Sequence, residues 1–375
     1  MDSVILFFGS FDPIHNGHLR LAKSASLSLN SEVIFELSSG GESVSETKAS
    51  VEDREKMIRL ALKEDGSPAF SYVFSVAKHG QSEEEGAFQA VYDYHHKHKK
   101  DKIYLLLGAE QASSFSTWKN AEAIAEAASI VYVPSANGGP DEETVARYRM
   151  MRLPKQSWEK DYPIVSSEMI RSLHSVDLPI RVREYIEKKR LYYASCLAKQ
   201  MSEHRLRHSI SVANLAYGIA LRNSLKDPQR AYIAGLLHDM AKGMPIEEQR
   251  EIMNQEFPEY VGLPEWSYHQ FVGSYLAKKE FGITDETILM AVRFHATGKP
   301  HMTPLGKIIY ASDKIDPLRG YDSSGLIDAC NRNYYVGFVD VLQANREYLE
   351  SKGYYSDDNP LTRDCFRLYL EGKDK

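Results

Sequence analysis

Two groups of residues in this chain have types and spacings suited to chemistry. The first is a pair of histidines, His15 and His18, in the stretch GSFDPIHNGHLRLA (residues 9–22), directly behind an apolar run at residues 4–8. A strand ending at Phe8, then Gly9, Ser10 and Phe11 in a turn open to close ligand approach, then a helix beginning near Gly17 and His18, together predict an anion site. The unpaired N–H groups and positive end of such a helix favour negative charge. Two imidazoles facing it would donate to the α- and β-phosphates of a nucleotide. Taken alone, the pair leaves open a turn histidine beside a capping histidine. Farther on, IVSSEMIRSL (164–173) places Ser166 and Ser167 at a helix start, Glu168 in its first turn and Arg171 one turn in, by itself an ordinary capped helix.

The second group is larger. His208, His238, Asp239, His269, His295 and Asp313 sit in EHRLRHSISVA, AGLLHDMAKGMP, WSYHQFVGSYLA, AVRFHATGKPHMT and IIYASDKIDPLRG, all on apolar helical patterns. Acids in such surroundings are costly to bury unless paired or bound to metal. Imidazole and carboxylate donors without cysteine favour Fe, Mn or a similar divalent metal over structural zinc. Six ligands exceed what one mononuclear site with open positions wants, and Asp239 bridging two metals accounts for the excess. Two metals suit phosphoanhydride hydrolysis, because together they activate water and hold the non-bridging oxygens. Lys242, one turn after His238, and Arg319 are candidates to contact phosphate, with plain surface charge as the equal alternative. His204, His301, His95, His96 and His98 are set aside as non-ligands.

These residues need a scaffold, and the chain supplies two patterns. Apolar β-rich runs at 4–8, 33–37, 70–76, 103–107 and 130–133 alternate with helical patterns at 19–29, 52–63, 87–98 and 121–128. Alternation of this kind predicts α/β architecture, a doubly wound parallel sheet with crossover helices and ligands beyond the carboxyl ends of the strands. The Gly-rich stretches 38–50 and 134–143 follow strands, as does Gly9. From Cys196 onward only helical patterns remain, so an all-α domain follows, and the change of period places the domains at 1–193 and 194–375.

Length and composition agree with two ordinary globular domains: 375 residues, 43% apolar, 26% charged, net charge −6. The acidic balance gives no nucleic-acid or anionic-membrane surface, and HHKHKK (95–100) reads as a solvated helix end. Cys196, Cys330 and Cys365 are scattered, as in reduced cytosolic protein, and no signal or membrane-spanning run is present, so a cytoplasmic location is expected. Oligomeric state is left open, a homo-oligomer included.

The first half resembles the nucleotidyltransferase superfamily, through HNGH (15–18) and the ISSTxxR-like segment at 164–171. More closely, it resembles bacterial nicotinate-mononucleotide adenylyltransferases, which LLGAEQASSFSTWKNAEAI (106–124) also matches. The resemblance covers about residues 1–192. It implies in-line attack of a mononucleotide phosphate on the α-phosphate of ATP, releasing pyrophosphate, with catalysis by positioning and charge stabilisation. It further implies that His15 and His18 hold ATP phosphates, Arg171 and Ser167 the β/γ end, Mg²⁺ the leaving pyrophosphate, Gly108 and Ala109 the adenosine side, and Trp118 the nicotinate neighbourhood. Glu110 stands where the family has aspartate. The family's basic loop after the second strand is replaced by SSGGESVSETK, leaving Lys48 as its one basic candidate. Another acceptor, or ATP/NAD sensing alone, is the alternative these departures raise. The second half, about 196–350, resembles the HD-domain phosphohydrolases, most of all symmetrical diadenosine tetraphosphatases, which implies cleavage of that dinucleotide to two ADP. A nucleotide phosphatase of different specificity is the alternative there.

Overall fold

The computed structural model describes residues 3–38, 49–68, 70–73, 83–133, 139–154, 165–354 and 358–372. The chain divides into two compact units: Met1–Arg171 with Asp177–Tyr192, and Ser172–Val176 with Tyr193–Lys375.

The first unit is built on a six-stranded sheet of order β3-β2-β1-β4-β5-β6, with every described pairing parallel. Its strands are β1 (Ser3–Gly9), β2 (Glu32–Leu37), β3 (Phe70–Val73), β4 (Lys102–Leu107), β5 (Ser129–Tyr132) and β6 (Met151–Arg152). Central strands covered on both faces have no polar alternation; accordingly Val4 to Phe8 of β1 are all buried. Crossovers are made by α1 (Asn16–Leu29), α2 (Val51–Asp65), α3 (Glu83–Lys97), α4 (Ala109–Ser114), α5 (Ala121–Ala127) and α6 (Glu142–Tyr148), and α7 (Ser167–Arg171) and α8 (Ile180–Lys189) follow. Strand order reverses between β1 and β4, so the crevice where such sheets take ligands lies beyond Gly9 and Leu107.

The sequence pattern placed four of these crossover helices, α1, α2, α3 and α5, misjudged some starts and missed α4 and α6. α1 begins at Asn16, not Gly17 or His18, because His15 caps it. α3 begins at Glu83, four residues before its apolar periodicity shows. Within 134–143, read as an interruption, Asp141 caps α6 and starts a helix at Glu142. The two-residue β6 has exposed side chains and no apolar signal to find. Residues 74–76, Ile164 and the acceptor-side loop at 39–48, with Lys48, fall outside the described residues.

The second unit is helical: α9 (Tyr193–Gln200), α10 (Glu203–Arg222), α11 (Gln229–Leu237), α12 (Ile246–Glu256), α13 (Tyr268–Phe281), α14 (Glu286–Arg293), α15 (Pro304–Lys314), α16 (Ser324–Arg332), α17 (Tyr334–Ser351) and α18 (Pro360–Glu371). α10 packs against both α11 and α15, and α14 against α13 and α15. Gly235 sets the α10–α11 approach, since a Cβ there would lie 2.7 Å from Ala213 Cα. No helix among the described residues is long and apolar enough to cross a membrane.

Candidate functional sites

The first site starts where β1 gives way to α1. His15 is the N-cap of α1: its Nδ1 accepts from His18 N–H at 3.3 Å, while His18 Nδ1 accepts from His15 N–H at 3.2 Å. The rings stack with centroids 3.7 Å apart, and His18 packs edge-on to Phe7 and Phe11. Both rings cap the helix, and the capping bonds fix their orientation. With Nδ1 occupied as acceptor, each neutral ring carries its proton on Nε2, where it is a donor. Burial lowers both pKa values, that of His15 well below its ordinary value with the help of His18 and Arg20, that of His18 to about 3. Gly17 is required by space. A Cβ there would meet Val165 Cγ1 at 2.7 Å and His15 Nδ1 at 2.9 Å.

The loop before these histidines is pinned from several directions. Arg171 Nη1 donates to Asp12 O at 2.5 Å, and Ser167 Oγ donates to Pro13 O at 2.9 Å. Ser166 Oγ accepts from Met169 N–H and so caps α7. Arg54 Nη1 donates to Ser10 O and Ser38 O. Asp12, buried, accepts from Tyr192 Oη at 2.6 Å and Ala49 N–H at 3.1 Å. Asp12, Arg54 and Tyr192 were not singled out in the sequence; the acid in FDP, between Phe11 and Pro13, was the available sign. Phe11 occupies left-handed backbone (φ 43°) and is buried. Gly108 caps α4 directly after β4, followed by Ala109 and the exposed Glu110. Trp118 is buried in the core against Phe115, ring centroids 5.1 Å apart.

The neutral histidines fix a sign for acid behaviour. Above the unfolded value of 6.5 the native and unfolded chains both hold them neutral. Below it the unfolded chain gains protons that the folded site refuses, so stability is lost as pH falls from 6.5 toward about 3. Between about pH 7 and about pH 5.5, His18 alone should remove about 1 kcal/mol from the first unit. Urea unfolding at both values, in wild type and His18→Asn, should show a smaller acid loss in the variant.

In the second unit all six predicted metal ligands converge. They come from the middle of α10 (His208), the end of α11 (His238, Asp239), the start of α13 (His269), the turn after α14 (His295) and the end of α15 (Asp313). Three overlapping trios have donor atoms within 4.8 Å of one another: His208, His238 and Asp239; His238, His295 and Asp313; Asp239, His269 and His295. The rings of His208, His238, His295 and His269 form a row with successive centroids 5.2, 4.9 and 5.2 Å apart.

The histidines are oriented through Nδ1. His238 donates to Gly235 O, His269 to Trp266 O and His295 to Val292 O, each three residues back and at 2.7 to 2.8 Å. His208 donates instead to Asp316 Oδ2 at 2.6 Å, and that fully buried carboxylate is steadied by Ser211 Oγ and Leu318 N–H. His238, His269 and His295 therefore present an Nε2 lone pair inward, the tautomer a metal ligand needs, and His208 turns its Nε2 to Asp313 Oδ1 at 3.2 Å. Nε2 of His238 and Oδ1 of Asp239 are buried yet make no hydrogen bond, which a cation in the cluster would satisfy. A divalent metal fits this donor set.

The electrostatics follow the same plan. Burial raises the cost of charge on Asp239 and Asp313, yet the neighbouring His238, His295 and Lys242 hold the first well below the carboxylate range, and Lys314, His208, His238 and Arg319 hold the second. Burial lowers His269 and His295. Burial opposes charge on His208 too, but the bonds to Asp313 and Asp316 outweigh it and lift the ring to about 9. The rim is cationic: Arg205 lies 3.3 Å and Lys242 3.5 Å from Asp239, Lys314 2.9 Å from Asp313, and Arg319 is also paired with Asp313. Lys242 and Arg319 were expected here. Arg205, Lys314 and Asp316 were missed, although all three lie within the quoted motifs. Asp316→Asn should weaken divalent-metal binding about 10–100-fold, because a histidine loses the carboxylate that sets its tautomer and basicity. Equilibrium dialysis against Mn²⁺ measures it.

Comparison with known proteins places both halves. The cytidylyltransferase-like family matches residues 6–173 and the HD domain family residues 205–318. A Mycoplasma genitalium protein named "Probable nicotinate-nucleotide adenylyltransferase/Ap4A hydrolase" is 28% identical over 318 residues, 84% of this chain and 88% of that one. The Bacillus subtilis "Bis(5'-nucleosyl)-tetraphosphatase, symmetrical" is 41% identical over 130 residues, 34% of this chain and 69% of its own. An Aquifex aeolicus "Probable nicotinate-nucleotide adenylyltransferase" is 32% identical over 133 residues, 34% of this chain and 75% of its own. The chain thus belongs to the nicotinate-nucleotide adenylyltransferase family by its first half and to the symmetrical bis(5'-nucleosyl)-tetraphosphatase family of HD domains by its second.

Proposed function

We propose that this is a bifunctional, cytoplasmic nucleotide enzyme. Residues 1–193 transfer the adenylyl group of ATP, with Mg²⁺, to nicotinate mononucleotide in NAD biosynthesis. Residues 194–375 hydrolyse diadenosine tetraphosphate to two ADP with two divalent metals, iron or manganese. The observation that supports this most is the inward convergence of four imidazole Nε2 atoms on Asp239 and Asp313, two of the donor atoms being buried without a hydrogen bond.

In the adenylyl-transfer site, the chain's work is to hold ATP with its α-phosphorus open to the incoming phosphate. The Nε2–H groups of His15 and His18 and the start of α1 stabilise the charge that builds on the phosphate oxygens. Ser167 and Arg171 hold the loop carrying them and face the β/γ end. Gly9, Ser10, Phe11, Gly108, Ala109, Glu110, Trp118 and Ser166 complete the proposed nucleotide contacts.

In the hydrolytic site, His208, His238, Asp239, His269, His295 and Asp313 hold the metals, with Asp239 shared. Bound metals supply Lewis acidity and an activated water. Lys242, Arg319, Arg205 and Lys314 neutralise and orient the substrate's phosphate chain.

Products decide the reading. Diadenosine tetraphosphate should give ADP alone, and AMP with ATP, or inorganic phosphate, would reject it. ATP with nicotinate mononucleotide should release pyrophosphate. ATP binding with no pyrophosphate from any mononucleotide acceptor would leave the first unit a sensor.

A further inference from the structure

Gln270 follows His269 in the first turn of α13, is fully buried, and spends its amide on the turn that carries His295. Its Oε1 accepts from Ala296 N–H at 3.1 Å and Thr297 N–H at 3.2 Å, and its Nε2 donates to Thr297 Oγ1 at 3.1 Å. Thr297 Oγ1 donates onward to Gly298 O at 2.9 Å, and Thr297 O accepts from Thr362 Oγ1 of α18 at 3.1 Å. These N–H groups lie past the end of α14 at Arg293, where the helical ladder has stopped and a side chain takes them instead. What this turn carries explains why it must be held. His269 and His295 have given their Nδ1 hydrogens to Trp266 O and Val292 O, so their Nε2 atoms meet lone pair to lone pair at 3.3 Å. Asp239 Oδ1 lies 3.5 Å from each. Three acceptors this close repel one another unless a cation stands among them, and their spacing suits donors each about 2.1 Å from one ion. Keeping them together in advance takes a tie beside them. Gln270 is one residue from the first histidine and bonded to the two residues after the second.

We propose that Gln270 is the positioning residue for one of the two metals, the one held by Asp239, His269 and His295. This rests on the reading of the helical unit as a two-metal hydrolase and deepens it, because it makes the two ions separable. His208, at the far end of the histidine row, is oriented by Asp316 instead. Loss of the Gln270 amide therefore frees the His295 turn from α13 and loosens one ion, while the half of the cluster around His208 keeps its own support. A second tie between the same two helices supplies the comparison. Arg293 Nε donates to the buried Ser274 Oγ at 3.2 Å, one turn farther along α13.

The test titrates the full-length protein with Mn²⁺ and counts bound ions. Wild type should take up two, with the low-temperature electron paramagnetic resonance spectrum of a coupled pair. Gln270→Met, which keeps the length of the side chain but not its hydrogen bonds, should bind the second ion about 10–100-fold more weakly and show the hyperfine pattern of an isolated ion. Ser274→Ala should melt at a lower temperature yet hold both ions as wild type does. Two tightly bound, coupled ions in Gln270→Met would overturn the proposal, and so would an equal loss of one ion in Ser274→Ala. Should Gln270→Met fail to fold, Thr297→Val, which removes only the hydroxyl that fastens the amide, decides by the same titration: a weaker second ion supports the proposal and an unchanged one overturns it. If wild type takes up one ion only, the two-metal reading falls separately. The role of Gln270 is then decided by whether Gln270→Met, and not Ser274→Ala, weakens that ion.

Discussion

Asp239→Ala should abolish hydrolysis and metal binding together, leaving adenylyl transfer at its wild-type rate. Asp239 touches every part of the centre. Its Oδ1 lies 3.5 Å from Nε2 of both His269 and His295, and its Oδ2 lies 3.9 Å from His238 Nε2 and 3.3 Å from Arg205. Removing it leaves the buried imidazoles and cations with Asp313 as the one carboxylate among the six cluster residues, so metal entering there meets less attraction and more repulsion. A loss of at least about a thousandfold in kcat/KM is expected, equivalent to about 4 kcal/mol of transition-state stabilisation. Elemental analysis beside a product assay checks it, and a fully active Asp239→Ala protein would end the two-metal proposal.

His18→Ala should lower adenylyl transfer about 10²–10³-fold, the usual consequence of deleting one preorganised donor, without altering diadenosine tetraphosphate hydrolysis. The alanine variant also loses half of the capping box, worth about 1 kcal/mol of helix stability. His18→Asn separates the two effects. Its amide oxygen can take over the acceptor role of Nδ1, but nothing replaces Nε2–H. Both variants should be equally slow in pyrophosphate release, and only His18→Ala should unfold more readily. An active His18→Asn protein would assign the ring to structure alone.

How much of this was legible beforehand differs between the sites. The six residues of the metal cluster could be read because each stands inside an apolar helical segment where a polar group needs a reason. The cations Arg205 and Lys314 could not, since a charged residue at a helix end looks the same whether it faces solvent or a buried carboxylate. Asp316 was hidden for a related reason: only the return of the chain from α15 toward α10 brings it to His208, and that closure has no local signature. At the first site the histidine pair was visible but its wiring was not. Nothing in HNGH says that each ring accepts the other's backbone N–H, and the start of α1 was misplaced for that reason. Trp118 could be named only by resemblance, because its side chain packs into the core against Phe115 and its local sequence looks like that of any core tryptophan.

The opposite wiring of His15 and His18 on the one hand and His238 and His295 on the other follows from the polarity of the peptide chain itself. Where a helix begins, the main chain has hydrogens to spare, so His15 and His18 spend their basic nitrogen there and keep their hydrogen on the other. Where helices α11 and α14 run out, it has oxygens to spare, so His238 and His295 give up their hydrogen and turn a basic edge outward. At these four positions the helix terminus thus decides whether the ring is left with a hydrogen to donate or a lone pair to accept with.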